Sequence, residues 1–526
     1  PALVVATHER GPSRTPSGKV MTSADSAERK CCASSMSSSS HTEQRTVGIL
    51  HTKEEILMTS TSDDLATFIV VANRLPVDRV VNEDGSIDWT TSPGGLVTAL
   101  EPVMQRKGGA WIGWHGAPDE TVEPFHHEGY DIVPIPLSAQ EVTEYYEGFS
   151  NASLWPLYHD CVVDPEFHRE WWDSYRTVNT RFAEEVAKRA ARNATVWVQD
   201  YQLQLVPRML REARPDLKIG FFLHIPFPPI ELYQHIPWRG ELVDGLLGAD
   251  LIGFQTPGAA HNFARLAHHR NGVTGPDDSD DIATLSDGRV VKIKDFPISI
   301  DARGFHELAS SPQAHQEAEE MRADLGNPST IIFGVDRLDY TKGLRQRIRA
   351  IGELFDEGKL DQEDCVFLQL ATPSRERVEE YKILRDDIDL LVGRINSASD
   401  TLARPRIAYR HTSVPRSTLA AMYQIADIMI VTPLRDGMNL VAKEYLACRD
   451  DDNSALILSE FAGAALELDE AYMVNPYDID GMKATIMKAI NDSPQARAQK
   501  MRAMREQVFA HTIDDWADSF LTELGE

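Results

Sequence analysis

Cysteine is scarce in this sequence, and long apolar runs are missing. The 526 residues include five cysteines, none of them in a Cys-x-x-Cys pair. They are Cys31, Cys32, Cys161, Cys365 and Cys448. An odd and scattered set excludes a disulfide framework and a cysteine-rich zinc site. No apolar run is long enough to predict a membrane-spanning helix.

Positive charge is also in short supply. The chain has 53 Lys and Arg residues against 81 Asp and Glu residues, which gives a formal net charge of −28 and a pI near 5.0. A protein this acidic is not expected to bind nucleic acid or an anionic membrane surface. An anionic small molecule would need a few basic side chains gathered at one place. Each arginine beside a glycine turn is therefore a candidate ligand for such a molecule.

Metal-ligand patterns are absent as well. His268 and His269 have no matching carboxylates, and the acidic triplets 278–280 and 387–389 are typical of solvated charge. We therefore predict no bound metal and no cofactor.

The first ~65 residues are rich in serine and threonine and poor in aromatic residues, which predicts a disordered tail over residues 1–65. This segment lacks the apolar stretch of a secretory signal, so we expect a cytoplasmic protein. Met21 and Met58 are both candidate start sites.

From Thr67 onward, apolar β-branched runs alternate with helical patterns, which is the order of parallel βαβ units. The predicted strands are 67–72, 195–199, 219–223, 251–254, 330–335, 366–371, 407–409, 428–432 and 455–458. A Pro-containing segment, Phe296–Ile300, divides the series, and we predict two doubly wound domains over residues 66–300 and 301–500, with ligands at the carboxyl ends of the strands. Residues 501–526 are predicted to be helical, with Trp516 and Phe520 on one face that packs back on the first domain.

The run from Arg435 to Glu444 joins a predicted strand to a helix through a glycine turn. Either Asp436 or Asn439 can cap the helix. The unpaired amides of residues 437–439 and the positive end of the helix dipole predict a phosphate site. An ordinary turn with a solvated Glu444 is the alternative.

A second run of this kind places Arg337 and Lys342 after the predicted strand 330–335. Two cations beside a helix start can hold a diphosphate. The run is neither a P-loop nor a GxGxxG, which argues against nucleotide hydrolysis and dinucleotide binding. The alternative is a surface ion pair of Arg337 with Asp336 or Asp339.

Arg74 and Arg375 also stand at the ends of predicted strands, one in each domain. The planar fork of arginine matches the oxygens of a phosphate monoester. A single arginine more often forms a structural ion pair, and this alternative stays open for Arg74 and Arg375.

Asp200 and His224 follow two neighbouring predicted strands, where they suit hydrogen bonds to sugar hydroxyls or proton transfer. A structural histidine that orders the proline-rich turn is an equal alternative. Tyr146 and Trp155 add aromatic rings of the kind found in sugar sites, although aromatic residues are more often part of the core.

Together these segments resemble the trehalose-6-phosphate synthases, from about Phe68 to Phe520. The motifs that carry the resemblance are Asn73-Arg74-Leu75-Pro76, Gly94-Gly95-Leu96, Tyr145 through Trp155-Pro156, Asp200-Tyr201, His224-Ile225-Pro226-Phe227-Pro228, Arg337 through Gly343, Pro373-Ser374-Arg375 and Arg435 through Glu444. The resemblance implies two facing Rossmann-like domains, the GT-B architecture. It also implies retaining transfer of glucose from a nucleoside-diphosphate glucose, usually UDP-glucose, to glucose 6-phosphate.

The resemblance also assigns residues to roles. The acceptor site would comprise Arg74, Tyr146, Trp155, Asp200 and Arg375. The donor site would comprise Gly94, Gly95, Arg337, Lys342, Val414, Asp436, Gly437, Met438, Asn439, Leu440, Val441, Ala442, Lys443 and Glu444. The catalytic residues would be His224, Arg337, Lys342 and Asp436. The base preference (UDP, ADP or GDP) and the oligomeric state, a homo-oligomer included, stay open.

No DxDxT phosphatase motif is present, so the resemblance implies a separate trehalose-6-phosphate phosphatase as the next enzyme. Two other functions stay open at this point. One is transfer to another phosphorylated acceptor such as glycerol 3-phosphate, and the other is a non-catalytic sensor of sugar phosphate. Intact Tyr146, Trp155 and Arg375 favour glucose 6-phosphate, and intact donor-site residues argue against a sensor.

Overall fold

The computed structural model describes residues 65–82, 87–92, 94–275, 281–399, 404–449 and 451–525. The predicted disordered tail lies outside these ranges except for its last residue, Leu65, and the acidic triplet 278–280 lies outside them too.

The described residues form eighteen strands: β1 (Ala66–Arg74), β2 (Val77–Val81), β3 (Ile87–Thr91), β4 (Ala110–Trp114), β5 (Phe125–His127), β6 (Tyr130–Pro134), β7 (Ala190–Gln199), β8 (Lys218–Phe222), β9 (Leu251–Phe254), β10 (Val273–Thr274), β11 (Ile282–Leu285), β12 (Val290–Asp295), β13 (Thr330–Arg337), β14 (Cys365–Thr372), β15 (Ile407–His411), β16 (Ile428–Val431), β17 (Ala455–Ser459) and β18 (Tyr472–Val474).

The same ranges contain seventeen α-helices: α1 (Gly95–Lys107), α2 (Ala139–Glu141), α3 (Trp155–Tyr158), α4 (Arg169–Arg189), α5 (Val206–Ala213), α6 (Ile230–Tyr233), α7 (Arg239–Leu246), α8 (Pro257–His268), α9 (Ala302–Ala309), α10 (Pro312–Asp324), α11 (Leu344–Asp356), α12 (Glu379–Ser397), α13 (Arg416–Ile425), α14 (Leu440–Cys448), α15 (Ile479–Asn491), α16 (Pro494–Ala510) and α17 (Ile513–Leu524). Val142–Leu154 is π-helical, and short 3₁₀ turns cover Tyr201–Leu203, Tyr340–Lys342 and Gly463–Leu466.

Within the described chain, two sheets carry most of these strands. The N-terminal sheet has ten strands in the order β10-β11-β12-β9-β8-β7-β1-β4-β6-β5, and its seven central strands are parallel. The C-terminal sheet has six strands, all parallel, in the order β15-β14-β13-β16-β17-β18. The prediction of an α/β fold with parallel sheets is confirmed.

Burial explains why the strands could be recognised from sequence. Every residue of β4, β9, β16 and β17 is buried. Parallel strands are covered by helices on both faces, so they consist of continuous apolar runs. Helix starts follow local chemistry as well. The side chains of Thr256, Ser311 and Ser493 accept backbone N–H groups in the first turns of α8, α10 and α16, each with proline at the start.

The C-terminal helix α17 packs on the N-terminal sheet. Its Phe520 ring stacks on Trp197 of β7 with 4.6 Å between ring centroids, and Trp516 lies 5.2 Å from the same ring. A Cβ atom added at Gly220 or Gly253 would lie 2.8 Å or 2.7 Å from the Phe520 ring, so the two glycines make room for this helix. The chain therefore crosses from the first sheet to the second and returns to the first at its end.

The sequence pattern predicts helices from about Lys342 and from Arg375, and both helices begin a few residues later in the structure. Lys342 ends a 3₁₀ turn, and Gly343 has a φ of +66°, so α11 begins at Leu344. Arg375 has a φ of +46°, which an α-helix does not accommodate, and α12 begins only at Glu379. In the described part of the chain, no helix combines the length and apolar character needed to cross a membrane.

Candidate active site

The predicted site residues stand where strands of the two sheets end. Arg74 ends β1, Asp200 follows β7, and His224 lies just beyond β8. Arg337 ends β13, and Asp436 follows β16. An open cavity, here named the central cavity, lies between the two sheets, and its empty space together with the solvent at its mouth is about 1010 Å³. It is lined by Gly95, Leu96, Asp200, His224, Gln255, Ile298, Asp336, Arg337, Lys342, Asp436, Met438, Asn439, Leu440, Val441 and Glu444.

Lys342 and Asp436 form an ion pair in the wall of the central cavity. The Lys342 Nζ atom lies 2.6 Å from Asp436 Oδ2, and both side chains are largely buried. Burial raises the pKa of Asp436, but the neighbouring ammonium of Lys342 outweighs it and leaves that pKa below its ordinary value. The carboxylate is therefore ionised at neutral pH and can accept hydrogen bonds from sugar hydroxyls.

Asn439 occupies the N-cap position of α14 with a φ of +83°. Its side chain does not cap the helix but donates to Asp436 Oδ2 at 3.0 Å. The amides at this helix start are therefore not occupied by a capping side chain, which fits the prediction of an anion site.

Arg337 projects toward the central cavity and is 47% exposed. Its Nη2 atom is 3.9 Å from Asp339 Oδ2, the limit of an ion pair. Asp336 pairs instead with the buried Arg347, whose Nη1 lies 2.6 Å from Asp336 Oδ2. Of the two surface ion pairs considered for Arg337, only a loose contact with Asp339 exists, and the guanidinium is accessible to a ligand.

Arg375 is held by a buried network that joins the two sheets. Its Cζ atom lies 3.7 Å from the centroid of the Trp155 ring, and its Nη2 donates to the Tyr201 hydroxyl at 3.1 Å. Its Nη1 lies 3.4 Å from Asp339 Oδ2 and also contacts the Tyr381 hydroxyl. The sequence had offered a structural ion pair as an alternative to phosphate binding, and the structure shows that the ion pair exists.

Asp339 is fully buried at the base of this network. It accepts hydrogen bonds from the Thr341 amide and hydroxyl and from the Tyr381 hydroxyl. Burial acts to raise the pKa of Asp339, but the charges of Arg375, Arg337 and Lys342 outweigh it and lower that pKa to about 2.

Asp200 and His224 form a neighbouring pair. The backbone N–H of His224 donates to Asp200 Oδ1 at 3.2 Å. Burial raises the pKa of Asp200 to about 6 and lowers that of His224 to about 3, so the imidazole is neutral at pH 7. Because His224 Nε2 lies 3.0 Å from the amide oxygen of Gln199, Nε2 carries the proton and Nδ1 remains an acceptor.

Arg74 is joined to Tyr146 through the ring of Trp114. The Arg74 guanidinium lies 5.3 Å from the Trp114 ring centroid, and the Trp114 and Tyr146 rings meet edge to face at 6.0 Å. Arg74 also lies 3.5 Å from Asp78, with both side chains nearly half exposed. The structure thus connects Arg74 and Tyr146 at the end of β1.

A second cavity, here named the side cavity, adjoins the central cavity, and its empty space together with the solvent at its mouth is about 610 Å³. Both are lined by Gly95, Leu440 and Glu444. Its other lining residues are Thr98, Ala99, Ser299, Ile300, Asp301, Phe305, Val414, Arg416, Leu419 and Ile513. Burial raises the pKa of Glu444, which accepts a hydrogen bond from the Tyr423 hydroxyl at 2.8 Å.

Part of the predicted donor segment does not reach either cavity. Leu440, Val441 and Glu444 lie on the face of α14 toward the cavities, whereas Ala442 and Lys443 are buried on its other side. The Lys443 ammonium contacts Glu467 at 2.9 Å and the Ile298 carbonyl at 2.9 Å. The Lys443 side chain therefore faces neither cavity, and the assignment of Lys443 to the donor site stays a prediction that only its backbone can fulfil.

The glycines of the site have distinct roles. Gly95 opens α1 and lines both cavities, and Gly94 occupies the N-cap position before it. A Cβ atom on Gly437 would lie 2.4 Å from the His224 carbonyl oxygen. Gly437 thus permits the loops that follow β16 and β8 to touch. Met438 is buried and contributes to the wall of the central cavity.

Sequence reasoning did not predict several side-chain contacts that shape the site. Tyr201, Asp339 and Tyr381 hold Arg375, and Trp114 holds Arg74. Arg416 lines the side cavity. Tyr201 and Asp339 lie inside motifs that were recognised. No sequence pattern predicts contacts between residues so far apart in the chain.

Three of the nine described residues other than glycine that have a positive φ angle lie at this site. Asp200, Arg375 and Asn439 all have positive φ angles, of +71°, +46° and +83°. Such conformations cost free energy for residues other than glycine, and they persist where function requires a side chain to be aimed in a particular direction. Among the described residues, no group of three or more His, Cys, Asp or Glu side chains is arranged to hold a metal ion.

Comparison with known proteins agrees with this geometry. Residues 66–526 match the family described as Glycosyltransferase family 20. The trehalose-6-phosphate synthase of Mycolicibacterium vanbaalenii is 55% identical over 470 residues, covering 87% of this chain and 96% of that protein.

Solved structures show the same likeness. The crystal structure of an alpha,alpha-trehalose-phosphate synthase (UDP-forming) from Burkholderia vietnamiensis has a TM-score of 0.80 and 33% identity, covering 88% of this chain and 97% of the other. The UDP-forming enzyme from Burkholderia xenovorans in complex with glucose-6-phosphate has a TM-score of 0.79 and 34% identity, covering 87% and 100%. The fold is therefore the predicted GT-B architecture, and the chain belongs to glycosyltransferase family 20.

Proposed function

We propose that this enzyme transfers glucose from UDP-glucose to glucose 6-phosphate with retention of configuration, forming α,α-trehalose 6-phosphate and UDP in the first step of trehalose biosynthesis. One observation carries the proposal. The Lys342–Asp436 pair and Arg337 lie in the same cavity as Asp200 and His224, with the Arg375 network beside them. Such a site offers positive charge for a diphosphate and acceptor groups for a sugar.

The donor would lie along the C-terminal sheet. Its diphosphate would contact Arg337, Lys342 and the amides at the start of α14, and its ribose would contact Glu444. Glu444 Oε2 already accepts from Tyr423, which leaves Oε1 for a ribose hydroxyl. Asp436 and Nδ1 of His224 would accept hydrogen bonds from hydroxyls of the transferred glucose.

The acceptor would lie along the N-terminal sheet. Arg74 and Arg375 would bind its phosphate, with Tyr146 and Trp155 forming the adjoining walls. Asp200 would accept a hydrogen bond from a sugar hydroxyl when ionised. The B. xenovorans relative was crystallised with glucose-6-phosphate, which supports a phosphorylated glucose as acceptor.

The reaction would proceed on one face of the donor sugar. The acceptor hydroxyl oxygen forms the new bond to the anomeric carbon, the bond from that carbon to the diphosphate oxygen breaks, and the hydroxyl proton passes to the departing phosphate oxygen. Arg337, Lys342 and the amides of residues 437–439 would stabilise the charge on the leaving group. The proposal requires no metal or cofactor, and activity in excess EDTA would test this.

The decisive experiment is turnover of each nucleoside-diphosphate glucose, with glucose 6-phosphate or glycerol 3-phosphate as acceptor. We expect UDP release to depend on glucose 6-phosphate, with an α,α-linked product by NMR. Release of UDP with glycerol 3-phosphate alone would reassign the acceptor. Binding of glucose 6-phosphate without release of any nucleoside diphosphate would identify a sensor. A stable covalent glucosyl-enzyme adduct would contradict the one-face mechanism.

The remaining expectations follow from this function. The enzyme would act in the cytoplasm, and its phosphorylated product would be passed to a separate phosphatase. Accumulated trehalose would serve in stress protection. Fractionation of the native cells and measurement of trehalose in a deletion strain would test these points.

A further inference from the structure

The side cavity continues the central cavity beyond Glu444. Lys342 lines the central cavity and not the side cavity, whereas Glu444 lines both. A nucleotide with its diphosphate at Lys342 and its ribose at Glu444 therefore extends its base into the side cavity. This step rests on the proposed function.

The walls of the side cavity suit a flat heterocycle. Ala99, Ile300, Phe305 and Leu419 supply apolar surface. Apolar surfaces contribute affinity for any base, whereas discrimination between bases requires a polar group placed at the base edge.

Arg416 is such a polar group. Its guanidinium carbon lies 4.0 Å from the centroid of the Phe305 ring, so the planar head is stacked on a fixed platform. In the part of the chain that the structure describes, no carboxylate oxygen lies within 4.0 Å of the Arg416 guanidinium, although its positive charge acts on Glu444 and partly offsets the rise that burial causes in the pKa of that carboxyl. Its N–H donors are therefore available to a ligand in the side cavity.

We propose that Arg416 recognises the nucleobase of the donor and selects uracil or guanine over adenine. A guanidinium can only donate hydrogen bonds. Uracil and guanine offer exocyclic carbonyl oxygens as acceptors, whereas adenine places an amino donor at the corresponding position and has only ring nitrogens as acceptors. A well-placed contact of this kind corresponds to about 10- to 100-fold discrimination.

The test compares kcat/KM for UDP-, GDP- and ADP-glucose at saturating glucose 6-phosphate. The native enzyme should prefer UDP- and GDP-glucose over ADP-glucose by about 10- to 100-fold. Arg416→Leu should bring the three values close together, because UDP- and GDP-glucose lose a contact that ADP-glucose does not make. Arg416→Lys keeps the charge but not the fork, so it should recover more activity with UDP-glucose than with GDP-glucose.

Arg303→Leu is the matched control. Arg303 is exposed on α9, the helix that carries Phe305, but it lines neither cavity. The variant removes an arginine from the same region and should leave the order of the three donors unchanged.

Calorimetric binding of UDP, GDP and ADP alone separates this inference from the proposed function. If UDP binds but no product forms, the proposed function fails, and the base preference is still measured from the three dissociation constants. If Arg416→Leu weakens all three nucleotides by one factor, or leaves their order unchanged, the assignment of Arg416 is overturned. A native preference for ADP would overturn it too.

Discussion

Replacing Asp200 with asparagine should stabilise the folded protein while weakening its function. Asp200 lies at the cavity end of β7 with a φ of +71°. Burial raises its pKa from 3.8 to about 6, and the backbone N–H groups of Tyr201 and His224 compensate only in part. At neutral pH the folded enzyme therefore holds a carboxylate where the neutral acid would be more stable. Asparagine has nearly the same shape and carries no charge.

The size and sign of the effect follow from the two pKa values of Asp200. Because the pKa of Asp200 is higher in the folded state than in the unfolded state, the folded state binds more protons. Protonation of Asp200 therefore adds its full contribution to the free energy of unfolding below pH 3.8, and that contribution is lost as the pH rises through 6. One pKa unit corresponds to about 1.4 kcal/mol. Linkage then gives a cost of ionised Asp200 of about 1.5 kcal/mol at pH 5 and about 3 kcal/mol at pH 8. Asp200→Asn should be more stable than the native chain by these amounts.

Urea unfolding followed by tryptophan fluorescence, from pH 5 to pH 8, measures this difference. Asp216→Asn is a control of opposite sign, because the hydrogen-bonded Arg214 lowers the pKa of Asp216. That variant should be less stable than the native protein at pH 8. The reasoning about Asp200 fails if its asparagine variant is destabilised at pH 8, or if the difference from the native protein does not grow with pH.

The same variant tests the role of Asp200 in the reaction. If the ionised carboxylate accepts a hydrogen bond from the acceptor sugar, kcat/KM for glucose 6-phosphate should rise through pH 6 in the native enzyme. In Asp200→Asn it should be low and lack that rise. An unchanged profile would remove Asp200 from acceptor binding.

Three further predictions concern charged groups of the site and its support. Arg375→Ala should raise KM for glucose 6-phosphate by about 10- to 100-fold with little change in KM for the donor. Arg377→Ala is the control and should change neither KM, because the Arg377 side chain is 72% exposed. Equal effects of Arg375→Ala on both substrates would refute acceptor binding by Arg375. Lys342→Ala should lower kcat by about 100- to 1000-fold through lost leaving-group stabilisation, and an unchanged kcat in rapid-quench assays would exclude that role. Lys443→Met should destabilise the fold by about 3–5 kcal/mol in urea unfolding, because the buried partner Glu467 loses its cation. Adding Glu467→Gln should recover much of the lost stability. A double variant no more stable than Lys443→Met would show that lost packing explains the effect.

Much of the fold could be predicted because local chemistry specifies it. The buried runs of β13, β16 and β17 are continuous and apolar, and helical patterns lie between them. Helix starts were less certain, as the positive φ angles of Gly343 and Arg375 show. A glycine or an arginine in a sequence does not reveal which turn the surrounding structure will impose.

What the sequence by itself determined was the alternation of strands and helices and the side chains that stand at strand ends, because burial and backbone hydrogen bonding impose local patterns. What only the tertiary structure decided was the direction of each side chain and its partners. Lys443 and Glu444 are neighbours, yet one is buried against Glu467 and the other lines the cavities, because each residue of a helix turns by about 100°. The contacts of Arg375 with Tyr201 and of Arg416 with Phe305 join residues far apart in the chain, and such contacts exist only once the two sheets and their helices have packed.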